Sequence, residues 1–558
     1  MDTPEKRISD LDLARFFIEK NDPEHIITEL FNFLCLDCVK RSRLDPDRFD
    51  CLVGEFEETG CCDAETLASV IRLIRETPKT VPDEDQVLLE NIKTEVLENL
   101  TYDTTVKALA EKMHLSYYYI CHFFKAKTGR SIQTFRLQKR MEKAVRALCE
   151  TDQKITDIAL ACGYNNASYF TEHFVKCMGM APSELRKNPD FFIHPFYEFD
   201  DMRLAAMMPS VRFCTPEMTE LPAQIVESRC IAEPDETFSF LHEAAIIEFN
   251  GVLYASWYQC PKSELHGYTP ICGKRSYDGG KTWTKPEIIA DDPTEKILYC
   301  PPVYGICDGK LYMLMNRMVA PDHIHSLDLF VLNETDRFEL CWSRPIPFKL
   351  NTNVVTLPDG KRMLPGRIGR LDGFPNTPAV LISDDGKIDT EWRLVKIAEN
   401  GTLPDGSSLV HPELSVICDQ NTLYMFSRDD QRKVPLVYLS HDFGESWSGP
   451  AAHDIPCRSS KIYTGRLQCG KAFLIANVDT ADRSRLVIYF SDGERKDGRL
   501  IFEKRLTLFD RTCAEVPTAF KAHYPAACEA DGKLYVIATI DEHRGRDAML
   551  YTIDLQDI

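Results

Sequence analysis

The chain has 558 residues, 44% hydrophobic and 27% charged, with a formal net charge of −20. That length exceeds what one hydrophobic core serves, so two to four domains are expected. The charge excludes nucleic-acid binding by the whole surface. No run of about 18 apolar residues is present to span a bilayer.

The N-terminal MDTPEKRISD lacks the apolar stretch of an export signal. The 21 cysteines therefore read as reduced thiols, and a cytoplasmic location without membrane association is expected. Cys35 and Cys38 form a CxxC, but Cys61 and Cys62 do not repeat that spacing and no histidine lies nearby. No metal or other cofactor is expected, because zinc ligand pairs must converge.

Residues 1–82 are predicted helical. LDLARFFIEK, EHIITELFNFLCLDCVK and AETLASVIRLIRET repeat their apolar residues at intervals of three and four. Their amphipathic faces suit a homodimer contact. Pro82 and the acidic PDEDQ mark a boundary.

Residues 83–187 contain an internal repeat. Val106, Leu109, Ala110, Met113 and Leu115 recur as Ile155, Ile158, Ala159, Cys162 and Tyr164. Phe124, Gly129 and Arg136 recur as Phe174, Gly179 and Arg186. Each copy reads as helix, tight turn, helix. Ser116 and Asn165 are expected N-caps of the second helix, and Gly129 and Gly179 its ends. IQTFRLQKRMEKAVRALCE is an amphipathic helix between the copies. From Gln86 to Lys187 there are 15 Lys and Arg against 11 Asp and Glu, a balance of +4, so the rest of the chain carries −24. This segment alone suits a phosphate backbone.

The stretch ITDIALACGYNNASYFTEHFVKCMGMAPSELR closely resembles the second-unit signature of the AraC/XylS transcription regulators. The resemblance implies an all-α tandem helix-turn-helix domain that binds double-stranded DNA in successive major-groove segments. It places Tyr117, Tyr118, Cys121 and His122 on the first reading face, and Asn166, Ser168 and Glu172 on the second. Lys125, Lys127 and Arg130 would contact phosphates. The family often has arginine at the positions of His122 and Glu172, and this chain does not. Tyr119, Ile120, Phe123, Phe124, Tyr169, Phe170 and Phe174 are expected in the core. Residues 188–212, with KNPDFFIHPFYEFDD, read as a linker.

From 213 to 558 the period changes to short apolar runs between Asn, Asp and Gly turns. A strand–turn–strand unit recurs: AAIIEFNGVLYASW, VYGICDGKLYMLMN, NVVTLPDGKRMLPG, LSVICDQNTLYMFS, GRLQCGKAFLIAN and AACEADGKLYVIAT. Six copies predict an all-β six-bladed propeller. SYDGGKTW (from Ser276) and SHDFGESW (from Ser440) share the pattern S-x-D-x-G-x-x-W, with looser versions at Ser383 and Ser491. The Asp is expected to accept backbone hydrogen bonds across the turn while the Trp packs beneath it.

This pattern is similar to the Asp-box of sialidases and related propellers. A sialidase site has three arginines on a substrate carboxylate, a Tyr nucleophile with a Glu, and an acid. By that resemblance Glu413 and Arg428 look like the family's Glu and one arginine, Arg483 like another arginine, and Tyr524 like the nucleophile. Where the family has Arg-Ile-Pro, this chain has His242-Glu243-Ala244. Glu264 and His266 are the nearest candidates for the acid. The expected function is an AraC-type regulator whose propeller senses or processes a small acidic carbohydrate. The alternative is an intracellular sialidase-like hydrolase carrying a DNA-binding arm.

Overall fold

The computed structural model describes residues 63–76, 84–101, 105–188, 191–320, 323–369, 376–457, 460–478, 483–493, 495–496, 499–512, 520–541 and 546–558, with Leu11, Ala14, Arg15, Ile18, Leu52, Glu55, Phe56 and Thr59. Most of the expected N-terminal helices, the CxxC and the Cys61–Cys62 pair lie outside them. The chain divides into two compact units, Met1–Leu137 and Gln138–Ile558. The helix-turn-helix repeat is thus split, and its second copy belongs with the β-rich part.

In the first unit, helices α1 (Ala64–Glu76), α2 (Glu84–Glu98), α3 (Val106–Lys112) and α4 (Tyr117–Thr128) are followed by the start of α5 (Ile132–Glu150). Ile92, Val96, Leu109, Ile120, Phe124 and Ile132 meet in one core cluster. The ends of α4 follow its local sequence. Ser116 Oγ accepts from the Tyr119 amide at 3.1 Å, and Gly129 closes the helix at φ +73°. Only glycine holds that conformation without a Cβ penalty.

The second unit opens on the rest of α5, then α6 (Ile155–Ala161), α7 (Ala167–Met178) and α8 (Pro182–Lys187). Ile158, Ala159, Phe170 and Phe174 are fully buried, as the repeat requires. The cap of α7 is Asn166, whose Oδ1 accepts from the Tyr169 amide at 2.7 Å, not Asn165. Two expected core residues are also corrected. Tyr119 is 46% exposed and Tyr169 49% exposed, because both sit in the first turn of their helices and only one edge of that turn faces the core.

Residues 191–212 are folded against their neighbours. Helix α9 (Phe199–Ala206) packs on α7, and Phe191, Tyr197, Phe199, Met202 and Leu204 are buried. Ser210–Val211 pairs in parallel with Ala452 and His453, and Phe213 lies among Tyr424, Phe426 and Phe502. Burying such aromatic rings contributes about 1.5–3 kcal/mol each, so this span is a packed connector rather than a free linker.

The β-rich part is a series of antiparallel meanders. Each recurring sequence unit is a hairpin, as in Phe240–Phe249 with Val252–Cys260 and Leu414–Asp419 with Thr422–Ser427. Inner strands are buried on both faces, which explains their continuous apolar runs. The last strand, Arg546–Asp554, pairs with Val226–Ala232 and touches Phe240–Phe249, so the two ends of the β-rich part meet in one eight-stranded sheet.

The Asp-box turns form as expected. Ser276 Oγ donates to Asp278 Oδ1 and accepts from the Gly280 amide, both at 2.8 Å, and Asp278 accepts from the Thr282 amide at 2.9 Å. The Trp283 indole donates to Gly280 O at 3.1 Å. Ser440, Asp442, Gly444, Ser446 and Trp447 repeat the same bonds. None of these residues lines the cavity of the β-rich part, so these turns are structural.

Candidate functional site

The α4 surface presents Tyr117 and Tyr118, 55% and 71% exposed, with the His122 ring tilted by 37° against Tyr118 at 4.3 Å between ring centres. Cys121 and Arg130 are half-buried, and Lys125 is exposed. Lys127 is exposed and paired with Asp85 at 2.7 Å. On α7, Ser168 and Glu172 are exposed, while the Asn166 side chain is engaged in capping.

The β-rich part holds a cavity of about 400 Å³ whose wall includes His242, Glu264, His266, Glu413, Arg428, Arg483 and Tyr524. The candidate residues, which come from strands and loops up to 282 positions apart in sequence, therefore face one space. Tyr524 lies at a register break of Lys521–Ala530 and Glu243 at one of Phe240–Phe249. Four lining residues with side chains, Glu243, Leu265, His411 and Tyr524, have φ between +46° and +55°. That conformation is disfavoured by roughly 1–3 kcal/mol per residue and gathers where side chains must be aimed.

Tyr524 and Arg428 form the centre. The Tyr524 hydroxyl accepts from Arg428 Nη1 at 2.6 Å, and the same nitrogen donates to Glu413 Oε2 at 2.5 Å. Arg428 Nε donates to Asp430 Oδ1 at 2.7 Å, and Asp430 Oδ2 meets His411 Nδ1 at 2.8 Å. Burial alone would raise the Glu413 carboxyl; Arg428, Lys461 and Arg367 outweigh it and hold it below the usual range. Burial, reinforced by Glu413, pushes the Tyr524 phenol well above its ordinary value against the opposing pull of Arg428. The resting site thus holds a protonated phenol and an ionised Glu413.

Arg483 is aimed by a relay. Its Nη1 donates to His523 Nδ1 at 2.7 Å, and His523 Nε2 donates to Asp541 Oδ2 at 2.8 Å. Asp541 is also held by Arg546 Nε at 2.6 Å. The carboxylate fixes the imidazole tautomer, which leaves Nδ1 as an acceptor. Burial depresses His523 to about 4 despite Asp541, and it lowers Arg483, with the Arg428 charge adding to the effect. A neutral imidazole orients the Arg483 guanidinium without cancelling its charge.

His242 stands where the resemblance calls for a third arginine. Its Nδ1 lies 3.0 Å from Thr539 Oγ1 and its ring is T-shaped to Tyr524 at 4.4 Å. Burial, with Arg546 and His523, holds it well below its ordinary value, so it is neutral. Glu264 accepts from the Tyr258 hydroxyl at 3.2 Å. Burial and then Glu243 raise its carboxyl, which favours the protonated form.

Several lining residues escape sequence reasoning: Glu243, Lys349, Arg367, His411, Asp430, His523 and Arg546. Lys349 and Arg367 are buried and directly opposite each other on paired strands. Gly366 permits that approach, since a methyl there would lie 2.2 Å from Lys349 O. The pair thus places two cationic side chains on one side of the cavity, where Lys349 acts on Glu264 and Arg367 on Glu413. These lining residues come from separate strands and loops with no shared motif. The available signals were adjacency to named candidates: Glu243 beside His242, His523 beside Tyr524, and Asp430 two residues after Arg428. Among the described residues no group of side chains could hold a metal ion, and no helix is long and apolar enough to cross a membrane.

Comparison with known proteins matches residues 109–188 to the helix-turn-helix domain family, of the AraC type, and residues 251–536 to the BNR repeat-like domain family. The HTH-type transcriptional regulator YobQ of Bacillus subtilis is 32% identical over 126 residues, 23% of this chain and 49% of that protein. The bifunctional transcriptional activator/DNA repair enzyme AdaA of the same organism is 32% identical over 112 residues, covering 20% and 52%. The transcriptional activator RhaR of Pectobacterium carotovorum is 27% identical over 149 residues, covering 26% and 52%. The chain spans about half the length of these relatives. Among solved structures, a Trypanosoma rangeli sialidase mutant aligns with TM-score 0.46 and 15% identity over 61% of this chain and 60% of that one. A Dyadobacter fermentans protein aligns with TM-score 0.47 and 15% identity over 59% and 99%. The segment that reads the helix-turn-helix pattern is homologous to AraC-family regulators, and by a match over more than half its length the chain belongs to the BNR repeat-like domain family.

Proposed function

We propose that this protein is a sequence-specific DNA-binding transcription regulator whose β-rich part, a six-bladed propeller, binds a small acidic carbohydrate in the Arg428–Arg483–Tyr524 cavity. The observation that carries the reading is one chain holding both helix-turn-helix copies and a cavity with two aimed guanidiniums, Arg428 and Arg483, beside a facing Lys349–Arg367 wall. A ligand carboxylate would accept charge-assisted bonds from both guanidiniums. Neutral His242 and the Tyr524 hydroxyl would face sugar hydroxyls. Double-stranded DNA is the second partner, read through α4 and α7.

A hydrolase is the second reading. It is favoured by Glu264, whose raised carboxyl suits a general acid, in the same cavity as Tyr524 and Glu413. It requires Tyr524 to attack as a nucleophile, and the elevated phenol pKa opposes that step.

Calorimetric titration of the full chain with N-acetylneuraminate and galacturonate, run beside a fluorogenic sialoside assay, separates the two. Sensing predicts saturable binding of at least one sugar acid without turnover. Arg483→Ala should weaken it roughly 10–100-fold, the loss of one charge-assisted bond of about 1.5–3 kcal/mol. Turnover that Tyr524→Phe abolishes would establish the hydrolase instead. Absence of any sugar-acid binding would remove both.

A further inference from the structure

Within the second compact unit, the cavity and the second recognition helix are joined by a short path of defined contacts. Arg428 and Asp430 line the cavity and hold each other through Arg428 Nε and Nη2, at 2.7 and 2.6 Å. Asp430 begins a tight loop. The Asp430 amide donates to Val410 O at 3.0 Å, and the Asp429 carboxylate accepts from the amides of Val410 and Arg432 at 2.9 and 2.8 Å. At the far end of the loop the Lys433 amide donates to Asp201 Oδ1 at 3.2 Å, and Lys433 Nζ lies 3.1 Å from Glu198. Asp201 is buried in the first turn of α9, and its other oxygen accepts from the Glu198 amide at 3.0 Å. Helix α9 packs directly on α7. The Phe199 amide, the first of α9, is also tied to Glu142 of α5 at 3.1 Å.

We propose that Asp430 is the residue at which an anionic ligand is sensed, and that the 429–433 loop passes its displacement through Asp201 and α9 to the second recognition helix, α7. This rests on the anionic-sugar reading above. A ligand carboxylate needs the Arg428 nitrogens that Asp430 occupies. It also brings a second negative charge against Asp430 in a confined wall. Ligand and Asp430 therefore compete for one guanidinium, which is the differential interaction that a ligand-driven shift requires. The loop transmits because both its ends are pinned. Asp430 is held to the cavity and Lys433 to α9, with only two residues between them to absorb a movement. The second helix-turn-helix would then respond as part of the propeller's own body.

Hydrogen-exchange mass spectrometry on the full chain tests this, with N-acetylneuraminate and galacturonate as probes at saturation. The expected result is a ligand-dependent change of at least twofold in exchange rate in 429–433, in Phe199–Ala206 and in Ala167–Met178. Asp201→Ala and Lys433→Pro delete the linking bond from opposite sides. Each should abolish the change at Ala167–Met178 while leaving sugar affinity within about threefold, because neither residue lines the cavity. Lys433→Ala keeps the amide and should retain the response. Wild-type protein that binds a probe without any change at Ala167–Met178 would overturn the proposal. So would a full response in both linking variants. If those variants do not fold, the wild-type measurement still decides. Failure of the wild type to bind either probe would instead defeat the sugar-binding reading, and the coupling with it.

Discussion

The Asp541–His523–Arg483 relay makes a prediction that needs no ligand. His523 is 4% exposed and is depressed from 6.5 to about 4, first by burial and then by the Arg546 and Arg483 charges, against the pull of Asp541. Between those values the unfolded chain takes up a proton that the folded chain refuses. Stability from this residue is therefore complete above pH 6.5 and is lost as pH falls towards 4. From pH 7 to pH 5 the loss is about 2 kcal/mol. His242 and His453 are also buried and neutral and act with the same sign, so the test is a difference of slopes. His523→Asn should lower the pH 7 to pH 5 stability change by about 2 kcal/mol relative to wild type. All five tryptophans lie between Trp257 and Trp447. Urea denaturation followed by tryptophan fluorescence therefore reports on the β-rich part alone. Asp541 titrates near 2, well below this window, and does not interfere. Equal slopes in variant and wild type, or a wild type more stable at pH 5, would refute a neutral His523 aiming Arg483.

Two further outcomes test the local architecture. Ser116→Ala and Asn166→Ala should each cost about 1 kcal/mol, seen in helix melting by circular dichroism, whereas Asn166→Asp should retain the cap. Gly444→Ala, at φ +92° in the second Asp-box and with its new methyl 2.5 Å from Met363 Cε, should lower β-domain stability by about 1–2 kcal/mol in the urea assay.

The helical repeat was readable because its rules are local. Ser116, Gly129 and Gly179 occupy caps that depend on a few neighbouring residues, and the α5 limits follow from periodicity alone. The error at Asn165 was one position, where two adjacent asparagines offer the same chemistry and only the approach angle of the helix selects Asn166. Tyr119 and Tyr169 failed for a related reason. They adjoin Ile120 and Phe170, which are fully buried, but lie at the edge of the apolar face that turns to solvent. Residues 188–212 read as a linker from their proline and broken period, yet the aromatic residues Phe191, Tyr197 and Phe199 within that span are buried.

In the cavity, Glu413, Arg428, Arg483 and Tyr524 were legible through resemblance to a known site, and His242 through its departure from it. Their shared environment was not. Whether Glu413 is ionised, the Glu264 carboxyl raised or His523 neutral depends on charges brought from distant parts of the chain and on water removed by folding. Sequence by itself determined the hairpins, the Asp-box turns and the helix-turn-helix repeat, because hydrogen bonds within a few residues decide them. Only the tertiary structure decided the cavity's charge, the aim of Arg483 and the union of α7 with the β-rich part, because those arise where strands distant in sequence converge.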